Sequence, residues 1–306
     1  MRWDDFRRSD NVDDRRGEGG LGGGGGGRMP VGRGGLGIGT IVVIGLIGWA
    51  LGIDPRLLLE GASMIQGGSP YEQSQRAPAP RQTGAPKDEM GDFVAAVLGE
   101  IDDRWSEIFK EGNASYRGPR VVLFSGATNA NRCGMAQSAM GPFYCPPDRQ
   151  VFLDTQFFDE IEQRFRGCAG APCKFTQAYI LAHEVGHHVQ NQLGILDKSQ
   201  QLQRAAGSRA EANQIQVRVE LQADCFAGVW ANRQRQKRDY LDPGDVDAAL
   251  QTAAAIGDDA LQRKAGGRVV PDSFTHGSSE QRKRWFMNGF NSGKISACNT
   301  FGAERL

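Results

Sequence analysis

Histidine is scarce in this chain, with four among 306 residues, so where those four stand carries unusual weight. Charge of one sign is also missing. Lys plus Arg and Asp plus Glu number 36 each, and the zero net charge excludes both a general basic footprint for nucleic acid and a strongly acidic solvating tail. None of the six cysteines stands in C-x-x-C spacing. Apolar residues make up only 39%, a figure diluted by 42 glycines, many of them before residue 53. The length still permits one large domain or two small ones with a sizeable core.

Residues 1–35 mix Arg and Asp over Asp4–Arg16 and then run through glycine to Gly35. With almost nothing apolar to bury, this segment reads as a disordered, solvated leader. Its arginine–glycine texture has an RNA-binding alternative, which the near absence of aromatics and the offsetting acids disfavour. Leu36–Ile53 is an uncharged run, LGIGTIVVIGLIGWALGI. As a helix it spans about 27 Å, close to the thickness of bilayer hydrocarbon, and Trp49 suits an interfacial position. The long leader in front favours an uncleaved anchor over a signal peptide. Arg28 and Arg33 before the run against Arg56 after it point to a cytoplasmic N-terminus. Residues 54–87 include a Pro/Gly/Ser/Gln-rich tether, and residues 88–306 form the globular part.

Within that part a mostly helical α+β domain with a small sheet is expected. Helical stripes cover Glu89–Phe109, Phe157–Phe165, Phe175–Leu193 (with Gly194 as its stop), Arg209–Gln236, Val246–Lys264 and Glu280–Phe290. Val121–Phe124 and Val151–Leu153 are short strand candidates.

His183 and His187 frame the sequence HEVGH inside a helical stretch. At i and i+4 both imidazoles lie on one helix face, where they can reach one ion, and two imidazole nitrogens suit Zn²⁺. Glu184 is turned to lie beside that ion rather than on it, where a general base belongs. His188 points off this face and reads as a supporting or exposed residue. A catalytic zinc needs a third protein ligand and an open position. No histidine follows until His276, but the next long helix carries Glu220 and Asp224, again at i and i+4, in apolar surroundings. Glu220 is the candidate third ligand. Asp224 is the candidate acceptor for a ligand histidine, fixing its tautomer.

An even cysteine count suits disulfides in an oxidising compartment. Six cysteines allow fifteen pairings. Proximity favours Cys133–Cys145 and Cys168–Cys173, leaving Cys225–Cys298, while a competing idea makes Cys225 a soft metal ligand. Together with the charge bias, the cysteines place the globular part periplasmic or extracellular, as a single-pass protein of the cell membrane.

HEVGHH followed by ELQAD resembles the gluzincin arrangement of HExxH with a downstream ExxxD. It is similar to membrane zinc peptidases of the CAAX-processing and heat-shock type. It resembles more closely a bacterial family of neutral zinc metallopeptidases with blocks matching Phe143–Pro146, Val151–Asp154, His183–Gln190, Glu220–Ala231 and Thr275–Arg282. The resemblance covers roughly residues 88–302. It implies a zincin-like fold and a membrane-anchored endopeptidase with Zn²⁺ on His183, His187 and Glu220, acting on protein or peptide substrates. It also implies that His276 and Arg282 donate hydrogen bonds to the oxyanion, and that an extended substrate adds to the Val151–Leu153 strand if that strand is an edge. Gly277 stands where relatives often carry proline. Two other readings share these residues: a non-catalytic zinc scaffold of the cell envelope, and a hydrolase of a non-peptide bond. Substrate identity and oligomeric state are not legible.

Overall fold

The computed structural model describes residues 1–17, 86, 88–158, 172–264 and 268–306. The run 36–53, nearly all of the expected tether, Cys168 and the residues after 158 in the expected Phe157–Phe165 helix lie outside the described residues. Among the described residues no helix is long and apolar enough to cross a membrane.

In chain order the elements are β1 (Val12–Asp14), α1 (Glu89–Glu111), β2 (Arg120–Phe124), β3 (Ala127–Asn129), β4 (Met135–Gln137), β5 (Phe143–Cys145), β6 (Gln150–Asp154), α2 (Pro172–Gln192), α3 (Ile195–Ala205), α4 (Arg209–Lys237), α5 (Asp245–Ala255), α6 (Asp258–Lys264) and α7 (Ser279–Ser292). Helices dominate, as the periodicity predicts. The ends of three helices are set by local chemistry. Asp88 caps α1 through Gly91 N–H, Ser208 caps α4 through Glu211 N–H, and Ser278 with Gln281 forms a capping box on α7. Each such cap is worth about 1 kcal/mol.

The main sheet has the order β1-β2-β6-β5, parallel except for the antiparallel β5. Alternation along its two central strands divides the interior. Val121, Leu123, Val151 and Leu153 join the large core with α1, α2 and α4. Val122, Phe124 and Phe152 turn to the other face and pack with Ala130, Ala136 and Cys145 beneath the β3–β4 hairpin. A disulfide between Cys133 and Cys145 ties that small layer to β5.

Several sequence expectations change here. The leader is not solvated throughout. Val12–Asp14 pair in parallel with Val121–Leu123, and Met1, Phe6 and Val12 enter the core. The mixed Arg and Asp residues find partners: Arg7 with Asp103, Arg8 with Asp92, and Arg16 with Asp14 and Asp88. Charges that look solvated in sequence are thus satisfied by α1 and its cap. Residues 1–17 and 88–306 belong to one compact unit. The pairing of Val12–Asp14 with Val121–Leu123 places both segments in one sheet, while the expected crossing at 36–53 lies outside the described residues.

Strand β6 lies between β2 and β5, so both its edges are paired and the expected substrate addition at Val151–Leu153 has no free edge. The Val246–Lys264 helix is broken at Gly257, where a Cβ would stand 2.6 Å from the backbone nitrogen of Ser279. The Cys225–Cys298 disulfide is present, which removes Cys225 as a metal ligand. Cys173 is also disulfide-bonded.

Helix α2 crosses α4 closely at Gly186, where a Cβ would sit 3.0 Å from the Ala223 carbonyl oxygen and 3.3 Å from the Ala223 Cβ. Any larger residue inside the HEVGH turn would push the helices apart. The crossing brings the histidine face of one helix against the carboxylate face of the other.

Candidate metal centre

At that crossing one donor atom each from His183, His187 and Glu220 lies within 4.8 Å of the others. Glu220 Oε2 is 3.2 Å from His183 Nε2 and 3.4 Å from His187 Nε2. Two ligands about 2.05 Å from a tetrahedral zinc ion stand about 3.3 Å apart, close to the separation of Glu220 Oε2 from each of the two histidine nitrogens. Three of the four positions around such an ion would come from protein.

Each of the three candidate ligands has its own polar support. His183 Nδ1 donates to Asp224 Oδ1 at 2.8 Å, which turns Nε2 toward the cluster. His187 Nδ1 donates to Gln190 Oε1 at 2.9 Å, and Gln190 is held in turn by the Val219 carbonyl and Gln222. Gln216 donates to the second oxygen of Glu220 at 2.8 Å and itself accepts from Gln203 at 2.8 Å. Asp224 follows from the i, i+4 pattern. Gln190, Gln216 and Gln203 do not, because a glutamine on a helix carries no signal of what it touches. The spacing of Gln216 four residues before Glu220 is the one hint available.

Arg282 joins the polar support of the cluster. It is buried, with Nε and Nη2 each 2.9 Å from an oxygen of Asp224 and Nη2 also 3.1 Å from the Tyr179 hydroxyl. Tyr179 donates to Asp224 Oδ1 at 2.5 Å. Arg282 therefore commits Nε and Nη2 to Asp224 and Tyr179, and Tyr179 joins it in holding Asp224. His188 is fully buried rather than exposed, with Nε2 donating to the Arg117 carbonyl at 2.6 Å and Nδ1 accepting from Tyr144 at 3.0 Å. Burial pushes its pKa down to about 4, so it is a neutral core residue.

Electrostatics match a cation site. Burial opposes ionisation of Glu220, yet the two histidines hold its carboxyl well below the usual range. Burial also opposes a charge on His183, but Asp224, Glu220 and Glu184 outweigh it and push its pKa up to about 10. Three carboxylates against one buried guanidinium give the pocket a field that favours positive charge. Glu184 is raised by burial, with the histidines pulling the other way, and it makes no hydrogen bond among the described residues. Its oxygens are thus available to a water or substrate.

His276 comes from the loop before α7, in the field of Glu220, and its side chain is 43% exposed. Gly277 has φ +91°, a value closed to proline.

The model for the family described as "putative neutral zinc metallopeptidase" matches residues 1–301. The match begins at the first residue, in keeping with a structured N-terminal strand, and so reaches well before residue 88, where the sequence resemblance starts. A protein of Escherichia coli strain K12 named "uncharacterized protein YpfJ" is 45% identical over 304 residues, 99% of each chain. One of Mycobacterium tuberculosis strain H37Rv, "uncharacterized protein Rv2575", is 42% identical over 223 residues, 70% of this chain and 71% of the relative. No solved structure matches. The match over nearly the whole length, together with a histidine–glutamate cluster of zinc-binding dimensions, shows that the chain belongs to this neutral zinc metallopeptidase family.

Proposed function

We propose that the protein is a zinc-dependent endopeptidase. The observation that carries this reading is the convergence of His183 Nε2, His187 Nε2 and Glu220 Oε2 beside Glu184, a buried carboxylate with no hydrogen-bond partner among the described residues. When bound, zinc supplies the Lewis acidity that acidifies water and polarises the scissile carbonyl. Glu184 takes the proton of the attacking water and hands it to the leaving amine, a task suited to a carboxyl whose pKa is raised. His276 faces the developing oxyanion and donates to it. Asp224, clamped by Arg282 and Tyr179, keeps His183 in the tautomer that offers Nε2. A purely structural zinc site has no use for a base beside an open position, so Glu184 favours the hydrolase over a scaffold. Two disulfides among the described residues support a working place in an oxidising compartment.

The test is Glu184→Gln in the zinc-loaded full chain, assayed against a peptide library. The variant is expected to retain one zinc per chain and lose cleavage by at least about 100-fold. Cleavage at the parental rate would remove Glu184 from the chemistry. A zinc-loaded parent that cuts no peptide and binds no hydroxamate would favour the scaffold.

A further inference from the structure

The loop that carries His276 is held by a carboxylate outside the metal cluster. Asp258, in the first turn of α6, is only 4% exposed. Its Oδ2 accepts from three successive backbone N–H groups, those of Thr275 at 2.7 Å, His276 at 2.7 Å and Gly277 at 3.0 Å. Its Oδ1 stands 3.3 Å from His276 Nδ1. The Thr275 hydroxyl is 3.1 Å from the same ring nitrogen. Asp259, next in sequence, accepts from the backbone and hydroxyl of Ser279, both at 2.7 Å, and fixes the far end of the turn.

A buried carboxylate must be hydrogen-bonded, and three amides already meet most of that need at one oxygen. The other oxygen faces the ring. A ring that donates from Nδ1 to a carboxylate presents Nε2 on its opposite edge, and the 43% exposure of the side chain shows that it is not closed in. We propose that Asp258 is a positioning residue for peptide hydrolysis: it sets the His276 loop and, through Nδ1, aims Nε2 at the developing oxyanion. The proposal rests on the reading that His276 serves cleavage. Asp258 favours a proton on both nitrogens of the ring, and Arg282 opposes it. Partial burial of the ring works against that second proton, and the hydrogen bond to Asp258 works for it. With both nitrogens protonated, Nε2 is a donor.

The experiment is a double-mutant cycle in the zinc-loaded full chain, with Asp258→Asn, His276→Ala and the pair. Zinc content and melting temperature are measured alongside kcat and KM. His276→Ala is expected to lower kcat by about 100-fold, the scale set by losing one oxyanion donor. Asp258→Asn is expected to lower kcat by about 10-fold with KM nearly unchanged and zinc retained, and the pair should be no slower than His276→Ala alone. Asp258→Glu, which keeps the charge but moves it, supplies the same cycle should the asparagine variant not fold. Asp259→Asn is the control for loop anchoring, expected to lower the melting temperature while sparing kcat. Losses that multiply in the pair, or an Asp258 variant with parental kcat, would overturn the proposal. A His276→Ala variant that cleaves normally would overturn it too, yet would leave the zinc peptidase reading with Glu184 intact.

Discussion

His183 Nδ1 and Asp224 Oδ1 are 2.8 Å apart at the crossing of α2 and α4, and the same carboxylate binds Arg282 through two nitrogens. Asp224 therefore has two duties, orienting a ligand and neutralising a buried guanidinium. Asp224→Asn should weaken zinc binding by about 10- to 100-fold, read by competition with a chelator. It should also cost about 3 kcal/mol in stability, because Arg282 loses its charge partner. Unchanged zinc affinity would reduce Asp224 to a structural role.

Gln216 holds one oxygen of Glu220 and leaves the other to the cluster. Gln216→Ala frees that oxygen to wander or to bind as a second donor. Zinc affinity is expected to fall by about 10-fold. X-ray absorption at the zinc edge should show a change in oxygen coordination. Identical spectra would argue against the restraint.

Strand β1 and the rest of the domain share one sheet, so both must occupy one compartment. The described residues contain no free cysteine, so single substitutions report cleanly. Asp10→Cys and Lys198→Cys, both at exposed positions, should react alike with a membrane-impermeant maleimide in cells expressing the full chain. Labelling of one and protection of the other would break the β1–β2 pairing as the state of the protein in the cell.

Asp102 gives a stability prediction. It is 8% exposed, and burial pushes its carboxyl up to about 6 against hydrogen bonds from Ser9 and Tyr116. The unfolded carboxyl titrates near about 3.9. A folded pKa above the unfolded one means a contribution that is complete below pH ~4 and lost as pH rises through about 6. Asp102→Asn, neutral at every pH, should be more stable than the parent at pH ~7.5 by at most about 3 kcal/mol. The difference should vanish by pH ~4. Urea unfolding at both values checks this, and an equal difference at both would show that the charge is not the cause.

The parts of the fold legible in sequence are those whose signal is local. Helix α1 announces itself through Phe93, Val97, Ile101, Trp105 and Ile108, and the candidate metal centre through two i, i+4 pairs, His183 with His187 and Glu220 with Asp224. Strand β1 offers one apolar residue, Val12, among charges, and its partner Val121 is far along the chain, so nothing local marks it. Helix α3 goes unread because Gly194 looks like a stop. With φ +72° it ends α2 and caps α3 at once. Gly257 breaks a continuous helical stripe only because Ser279 of another helix presses on it. In the site, the candidate ligands and Asp224 are legible, and the other supports are not. The roles of Arg282 and Asp258 depend on which helix each one meets, and tertiary packing alone decides that.

Strand β1 is made first and its partner β2 follows only after the whole intervening stretch has left the ribosome. Until then its polar edge has no partner, and bringing segments so far apart in sequence together is a slow, entropically costly event. Assembly of the sheet is therefore timed by synthesis of residues 120–124, and a chain arrested before that point carries an orphaned strand for a protease or chaperone to find.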